Sequence, residues 1–362
     1  MKYISCISGL MLLAAYMPAA AQQTKLLTAE KHNEYGLVYT LPVTALDIEV
    51  TAVREVKKAG QYYQYAKKYV GTDKVVKEDD ESWTIEKVKV RPYGIPDPDA
   101  RYLMQLKPGA LAYIGVDADG MLLSINTPPV VEEVEKTAPR PVEGEKIADR
   151  EYLQYVDEDF IASQSSAKQA QMLAENLMEI REAKTSLTRG TAETMPTDGK
   201  QLELMLNSLA HQEAALTAAF LGNTTRETVV RNFTYVPADN GREVVFRMSD
   251  FDGFVAANDY SGEPVYIDIE ITNEGTLPVD AKGEEKKMPK DAVAYCVPGA
   301  ANVSLTYQGK KLFNKEFEMS QFGIVFGLNP SVFSDRKEPS YAVFDPSTGA
   351  LKEIGPAKLA QE

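Results

Sequence analysis

Two cysteines, two histidines and one tryptophan are all that 362 residues contain of the side chains most used for thiol, imidazole and indole chemistry. A serine or cysteine triad needs a histidine base, and a zinc site normally takes several His or Cys ligands. His32 and His211 lie far apart, and nothing in the sequence pairs them. Both are therefore read as structural or solvent-exposed. No glycine-rich phosphate loop, GxSxG elbow or HExxH pair occurs, so nucleotide, esterase and zincin chemistry lack their usual apparatus. No catalytic residue, cofactor or metal site is expected. Basic charge is also short, with 39 Lys and Arg against 53 Asp and Glu and a formal charge of −14. Such a surface repels phosphate backbones and anionic lipid, which argues against nucleic acid as a partner.

Long apolar runs are missing but for one, Ile4 to Met17 in "MKYISCISGLMLLAAYMPAAAQQ". Lys2 precedes it, and Pro18 and three alanines follow, the layout of a secretory signal peptide cleaved after Ala21. The run is shorter than the roughly 20 residues that span a bilayer, so no membrane span is expected. Cys6 lies too near the start to become a lipid-bearing N-terminus. Loss of the leader removes Lys2, taking 39 basic side chains to 38 against 53 acidic, a formal charge of −15. Cys296 is then the only thiol, and no intramolecular disulfide can form although an exported protein would be free to make one. Stability has to come from packing, for which 44% hydrophobic residues suffice.

Several elements are legible. In "LVYTLPVTALDIEVTAVREV", from Leu37, the residues Leu46, Ile48, Val50 and Ala52 alternate with polar ones as in a half-buried strand, with a break at Pro42. "AGQYYQYAKKYVG" predicts one short helix closed by Gly71. "SWTIEKVKV", "RYLMQLKP" and "LAYIGVDADGMLLSIN" predict strands, the last a hairpin turning at Asp117 to Gly120. "TPPVVEEVEKTAPRPVEGEK" is too proline-rich and acidic to bury itself and reads as a linker. Ala167, Ala170, Leu173, Leu177, Ile180, Lys184 and Leu187 then recur at helical spacing up to Gly190, and Leu202, Leu206, Leu209, Glu213, Leu216 and Phe220 up to Gly222. Asp198 can cap the second helix, with Gln201 completing a capping box. The short connection predicts an antiparallel hairpin whose rods hold flanking sheets apart. Met172, Met178, Leu204 and Met205 lie off the seam and offer a second apolar face for a sheet or a partner. Beyond Thr228 the pattern is again strands, as in a sandwich or barrel.

The expected fold class is α+β, with two antiparallel β-rich domains, sandwich or barrel-like, and an intervening antiparallel helical hairpin. The expected boundaries are a signal peptide at 1–21, a β-rich domain with one short helix at 22–127, a linker at 128–148, the hairpin at 149–222 and a second β-rich domain at 223–362. The two β-rich parts echo each other. Tyr39, Leu41, Pro42 and Ala45 match Tyr295, Val297, Pro298 and Ala301 at identical spacing, and "YIGVDADGML" is answered by "YAVFDPSTGAL". The order is the same in both, which suggests related units. In this echo Cys296 corresponds to Thr40, so a buried strand cysteine is favoured over a reactive thiol, which would need cationic neighbours.

Asp97 with Asp99, Asp117 with Asp119, and Asp250 with Asp252 are the closest carboxylate pairs. Glycoside hydrolysis could use such a pair across a cleft, but Asp beside Gly or Pro is first of all turn chemistry. Tyr62, Tyr65, Tyr69 and Trp83 are the candidate ligand contacts, a stacking platform for sugars. The tyrosine spacing equally suits packing of the short helix on its sheet.

The leader, "YTLPVTALDIEV", "AGQYYQYAKKYVG" and the hairpin "IREAKTSLTRGTAETMPTDGKQLELMLNSLAHQEAALTAAFLG" together resemble a domain-of-unknown-function family of exported proteins from the Bacteroidota. The resemblance covers nearly the whole mature chain. Its most distinctive part is the "RG…PTDG…E…F-x-G" region. It implies a cell-envelope protein and carries no catalytic residue over. The expected function is therefore a non-enzymatic protein-interaction or scaffold module, periplasmic or at the cell surface, binding a protein or another envelope component. The alternative is a glycan-binding or glycan-cleaving protein that uses tyrosines and paired carboxylates.

Overall fold

The computed structural model describes residues 25–28, 37–104, 113–129, 140–289, 292–335 and 338–357. The leader, His32 and residues 130–139 of the expected linker lie outside them. In chain order the strands begin with β1 (Lys25–Thr28) and β2 (Leu37–Lys58). A 3-10 turn then leads into α1 (Ala66–Tyr69), followed by β3 (Asp80–Met104), β4 (Tyr113–Val116) and β5 (Leu122–Ile125). A second 3-10 turn (Glu151–Tyr155) precedes α2 (Glu158–Ala162), α3 (Ser166–Arg189) and α4 (Gly199–Leu221). The chain returns to strands with β6 (Asn223–Tyr235), β7 (Gly241–Ser249), β8 (Gly253–Val255) and β9 (Glu263–Asn273). It ends with β10 (Val293–Tyr307), β11 (Lys310–Leu328), β12 (Ser340–Phe344) and β13 (Leu351–Pro356). All pairings between these strands are antiparallel, and the class is α+β.

Three sheets form, in the orders β1-β4-β5-β12-β13, β3-β2-β6 and β11-β10-β9-β7-β8. The second and third face each other. Leu46, Ile48, Val50 and Ala52 of β2 share one core with Phe246, Met248, Ile267, Val303 and Leu305. The first sheet closes a second core over the leading ends of β2 and β10, where Tyr39, Leu41, Val293 and Ala294 meet Ile114, Ile125, Ala342 and Phe344. Each of these cores draws on both halves of the chain, so the halves are joined by packing as well as by sequence. The sheets touch directly, which corrects the expectation that the hairpin holds them apart. On the other face of β2, Glu49 is also buried, with Lys89 Nζ 3.1 Å and Arg91 Nη2 3.5 Å away to offset its charge.

Pro42 does not break β2. The strand runs through it with a bulge, the place where a ladder tolerates a residue without an N–H. From Thr40 to Pro42 β2 advances two residues while its partners on β3 run from Arg101 to Pro96, five residues. From Val297 to Gly299 β10 likewise advances two while its partners on β11 run from Ile324 to Met319, again five. The two segments expected before and after Asp97 are thus one bulged strand, and β11 is likewise one bulged strand. The echo extends further. The Thr40 amide donates to the Gly120 carbonyl at 3.0 Å, and the Cys296 amide donates to the Gly349 carbonyl at 3.0 Å, so each long strand receives the Asp-to-Gly turn of a following hairpin at the residue after its Tyr. Both halves therefore repeat one local construction.

Where the first bend passes the third sheet, Thr44 is fully buried and fully engaged. Its amide donates to Ser320 Oγ (3.0 Å) and Gln321 Oε1 (3.1 Å). Its hydroxyl donates to the Ser347 carbonyl (2.9 Å) and accepts from the Ser320 amide (3.0 Å). Gln321 Nε2 then donates to the carbonyls of Thr44 and Pro237, 3.0 Å each. Satisfied buried networks of this kind fix register.

The hairpin hangs from the shared end of β2 and β6. Gly222 ends α4 and starts the turn into β6, at φ +77°, and a Cβ there would lie 2.4 Å from the Lys58 carbonyl oxygen. A Cβ on Gly60, across the same crossing, would lie 2.7 Å from the Phe220 carbonyl oxygen. Only glycine suits both demands. Gly222→Ala is expected to lower stability by about 1–3 kcal/mol, read as a shift in the denaturation midpoint. Gly199→Ala, at an open position in the first turn of α4, should be neutral or mildly stabilising.

Candidate functional site: the helical hairpin and its base

Both helices begin and end as their sequences dictate. Ser165 caps α3 through the Lys168 amide, and Gly190 closes it in the left-handed region, with its own amide and that of Thr191 returning to Leu187 and Ser186. Asp198 caps α4 through the amide of Lys200, not through that of Gln201 as the expected capping box requires. The expected stripes face each other in the half nearest the sheets, where Ala170, Leu173, Leu177, Leu216 and Phe220 are all buried. Midway along, Glu213 sits in the seam, 2.8 Å from Arg181 Nε and 3.1 Å from Lys184 Nζ. Burial pushes the Glu213 carboxyl up, but the two basic partners outweigh it and hold it below the usual range.

Beyond Glu213 the seam continues with Leu187 buried, but the leucines of α4 are less covered. Leu202, Leu206 and Leu209 are only half-buried, while Leu204 is 63% exposed, with Met195 and Met205 each at 38%. Met178, nearer the base, is exposed as well, whereas Met172 packs against the base core. Most of the off-seam apolar face thus stays uncovered.

The base is an aromatic core, and it takes up the tyrosine stripe. Tyr62 is 2% exposed and meets Tyr152 edge-on at 5.9 Å, Phe160 at 6.3 Å and Phe220 at 6.3 Å. Its hydroxyl donates to Gln169 Oε1 at 3.1 Å. Tyr69 lies 6.2 Å from Phe220, and Tyr65 OH is 3.2 Å from Ser166 Oγ. The stripe therefore packs the short helix onto the hairpin, not onto its own sheet, because Tyr62 faces α4 through the Tyr62 amide bond to the Ala219 carbonyl. Trp83 belongs elsewhere. It lies on β3 against Phe254, its indole N–H donates to the Phe251 carbonyl at 3.3 Å, and a Cβ on Gly253 would meet its ring at 2.8 Å. The loop it touches carries Phe251, 79% exposed, and Tyr260, 85% exposed, lies farther along with Arg247 over its ring.

The carboxylate pairs occupy turns or bulges. Asp97 accepts the Asp99 amide inside the β3 bulge, and Asp117 accepts the amides of Asp119 and Met121 at the hairpin turn. At the third pair it is Ser249 Oγ that accepts the amides of Phe251 and Asp252. Among the described residues no group of three His, Cys, Asp or Glu could hold a metal ion, and no helix is long and apolar enough to cross a membrane. His211 is on α4, with Nδ1 2.6 Å from Glu145 and Nε2 2.5 Å from Glu151. Sequence reasoning missed these partners, since about sixty residues separate each from the histidine and no spacing rule links them.

Cys296 is buried, with Sγ 3.6 Å from the Ser320 carbonyl, and burial pushes its thiol up to about 12. At pH 8 the thiolate fraction is then roughly one in ten thousand. The native protein should label with a thiol reagent orders of magnitude more slowly than the denatured chain, and comparable rates would contradict the burial described.

No curated protein and no solved structure matches the chain. Residues 35–352 match the family described as a domain of unknown function (DUF4831), and with most of its length covered the chain belongs to that family.

Proposed function

We propose that this is an exported, non-enzymatic protein of the cell envelope, in which the helical hairpin is a binding arm for another protein and the sheets are its mount. The observation that carries this reading is the contrast along the hairpin: a base locked by Leu173, Leu177, Leu216 and Phe220, and a far end where Met195, Leu204 and Met205 face solvent. Methionine adapts its shape to a partner, which suits it to such a surface. The acidic balance of 53 against 39 favours a protein over phosphate-rich partners. Export is supported by the leader-like residues 1–21.

The reading is tested in cells with a photo-crosslinking residue at Met195, which is exposed at the same end of the hairpin. A discrete crosslinked protein, lost in Leu204→Glu/Met205→Glu while the fold is retained by circular dichroism, is the expected outcome. Crosslinking that is absent, or unchanged by the double substitution, would remove the arm from the binding role.

A second reading, glycan binding, is favoured by Trp83 lying against the loop that presents Phe251. Trp83 is the only tryptophan, so its fluorescence reports on that loop directly. Saturable change with an oligosaccharide panel, abolished by Phe251→Ala, would support this reading over the first. A flat response across the panel would end it.

A further inference from the structure

Residues 143–155 run across the base of the hairpin as a strap. Glu143 and Arg226 exchange backbone hydrogen bonds of 2.9 Å, and the Asn223 side chain donates to the Glu145 carbonyl at 2.9 Å. Between these anchors and α2 the strap meets α4 through Tyr152, packed in the base core, and through His211, which faces two of its carboxylates, Glu145 Oε1 at Nδ1 (2.6 Å) and Glu151 Oε1 at Nε2 (2.5 Å). The second oxygen of Glu151 accepts the Ala148 amide at 2.7 Å. An ionised carboxylate only accepts, whereas a neutral imidazole has one N–H and one lone pair. Both contacts are hydrogen bonds only if the ring carries two protons. With one, a lone pair would face an anionic oxygen at about the same distance, a repulsive contact.

We propose that the imidazolium of His211 is a latch that holds the strap to the hairpin base in mildly acidic medium and gives up one of its two anchors when the ring loses a proton. The groups facing the ring are Glu145 from the strap and Glu151 from the 3-10 turn, with the Tyr155 phenol bonded to Glu151. From β6 come the neutral Asn223 and Arg226, which is engaged by Glu55 at 2.5 Å. Along the seam, Glu213 is closed with Arg181 and Lys184. The bonds from Glu145 and Glu151 raise the ring above its ordinary value, against a smaller opposing effect of burial, and the Ala148 amide leads the effects that hold Glu151 below its own. The histidine is the raised group, so its stabilisation is fully present below the unfolded value near 6.5 and is lost as pH rises through the folded value.

Proton NMR titration of the ring in the full chain tests the latch, with the resonance assigned by its loss in His211→Gln, since His32 is the only other histidine. Amide hydrogen exchange over residues 143–155 between pH 5.5 and 8.5 provides the second readout. The ring should titrate above 6.5, and after correction for intrinsic rates the strap's opening constant should rise about tenfold for each unit by which the ring is raised. His211→Gln should flatten this dependence, and Glu145→Gln should bring the titration back toward 6.5. A ring titrating at or below 6.5 in the wild-type chain, or strap exchange with the same pH dependence in His211→Gln, would overturn the proposal. Neither readout involves a binding partner.

Discussion

Two long strands, β2 and β10, must each serve two cores that do not lie in one plane, and the rest of the architecture follows from how they turn between them. Tyr39 and Leu41 belong to one core, while Leu46, Ile48 and Val50 belong to the other. A straight strand could not feed both. The bend at Pro42, with three surplus residues on the partner strand, makes the turn, and the same surplus opposite Val297 to Gly299 makes it again. Side-chain period in a strand is two, so a slip of one residue here would exchange core and solvent along the whole length. Thr44 prevents the slip, because its amide, hydroxyl and carbonyl are all committed to β11 and to the turn at Ser347.

Much of this was legible in the sequence. Period two exposed the strands and period three to four the helices, and the glycines at 71, 190 and 222 marked the element ends, each at positive φ. The proline echo pointed to a repeated unit, because Pro42 and Pro298 sit at equivalent bulges, where a ladder tolerates a residue without an N–H. Pairing at long range was not legible. Nothing local tells β5 to pair with β12, where Ile125 meets Ala342 more than two hundred residues on, and nothing local tells β6 to lie beside β2. Pro42 misled because a proline that stops a central strand and one that sits in a bulge are identical in sequence. The tyrosine stripe misled for a related reason. Spacing shows that Tyr62, Tyr65 and Tyr69 share a face but not which element that face meets.

The candidate site divides along the same line. Its apolar residues were visible beforehand as Met178, Leu204 and Met205 off the helical seam, because periodicity identifies what a helix leaves out as well as what it buries. Its charged residues were not, since Glu145 and Glu151 reach His211 only through the path of an irregular segment. The hairpin base is a third core in its own right, built from Tyr62, Tyr152, Phe160 and Phe220, and the bulk of its contacts are helical. Its buried residues belong to neither of the two sheet cores.

Where the hairpin joins the sheets has a mechanical meaning. β2 leaves the sheet at Lys58 and β6 enters it at Asn223, side by side at one end of the sheet, after running antiparallel from Leu46 and Tyr235. A pull on the hairpin along the strand direction would draw this pair of ribbons lengthwise past β3. The ladder between β2 and β3, continuous but for its bulges from Leu37 to Lys57, would then be strained in shear, with many bonds resisting together and none parting first. Tension applied across the strands would instead peel the same ladder one rung at a time, so the anchorage is strong in one direction and weak in the other.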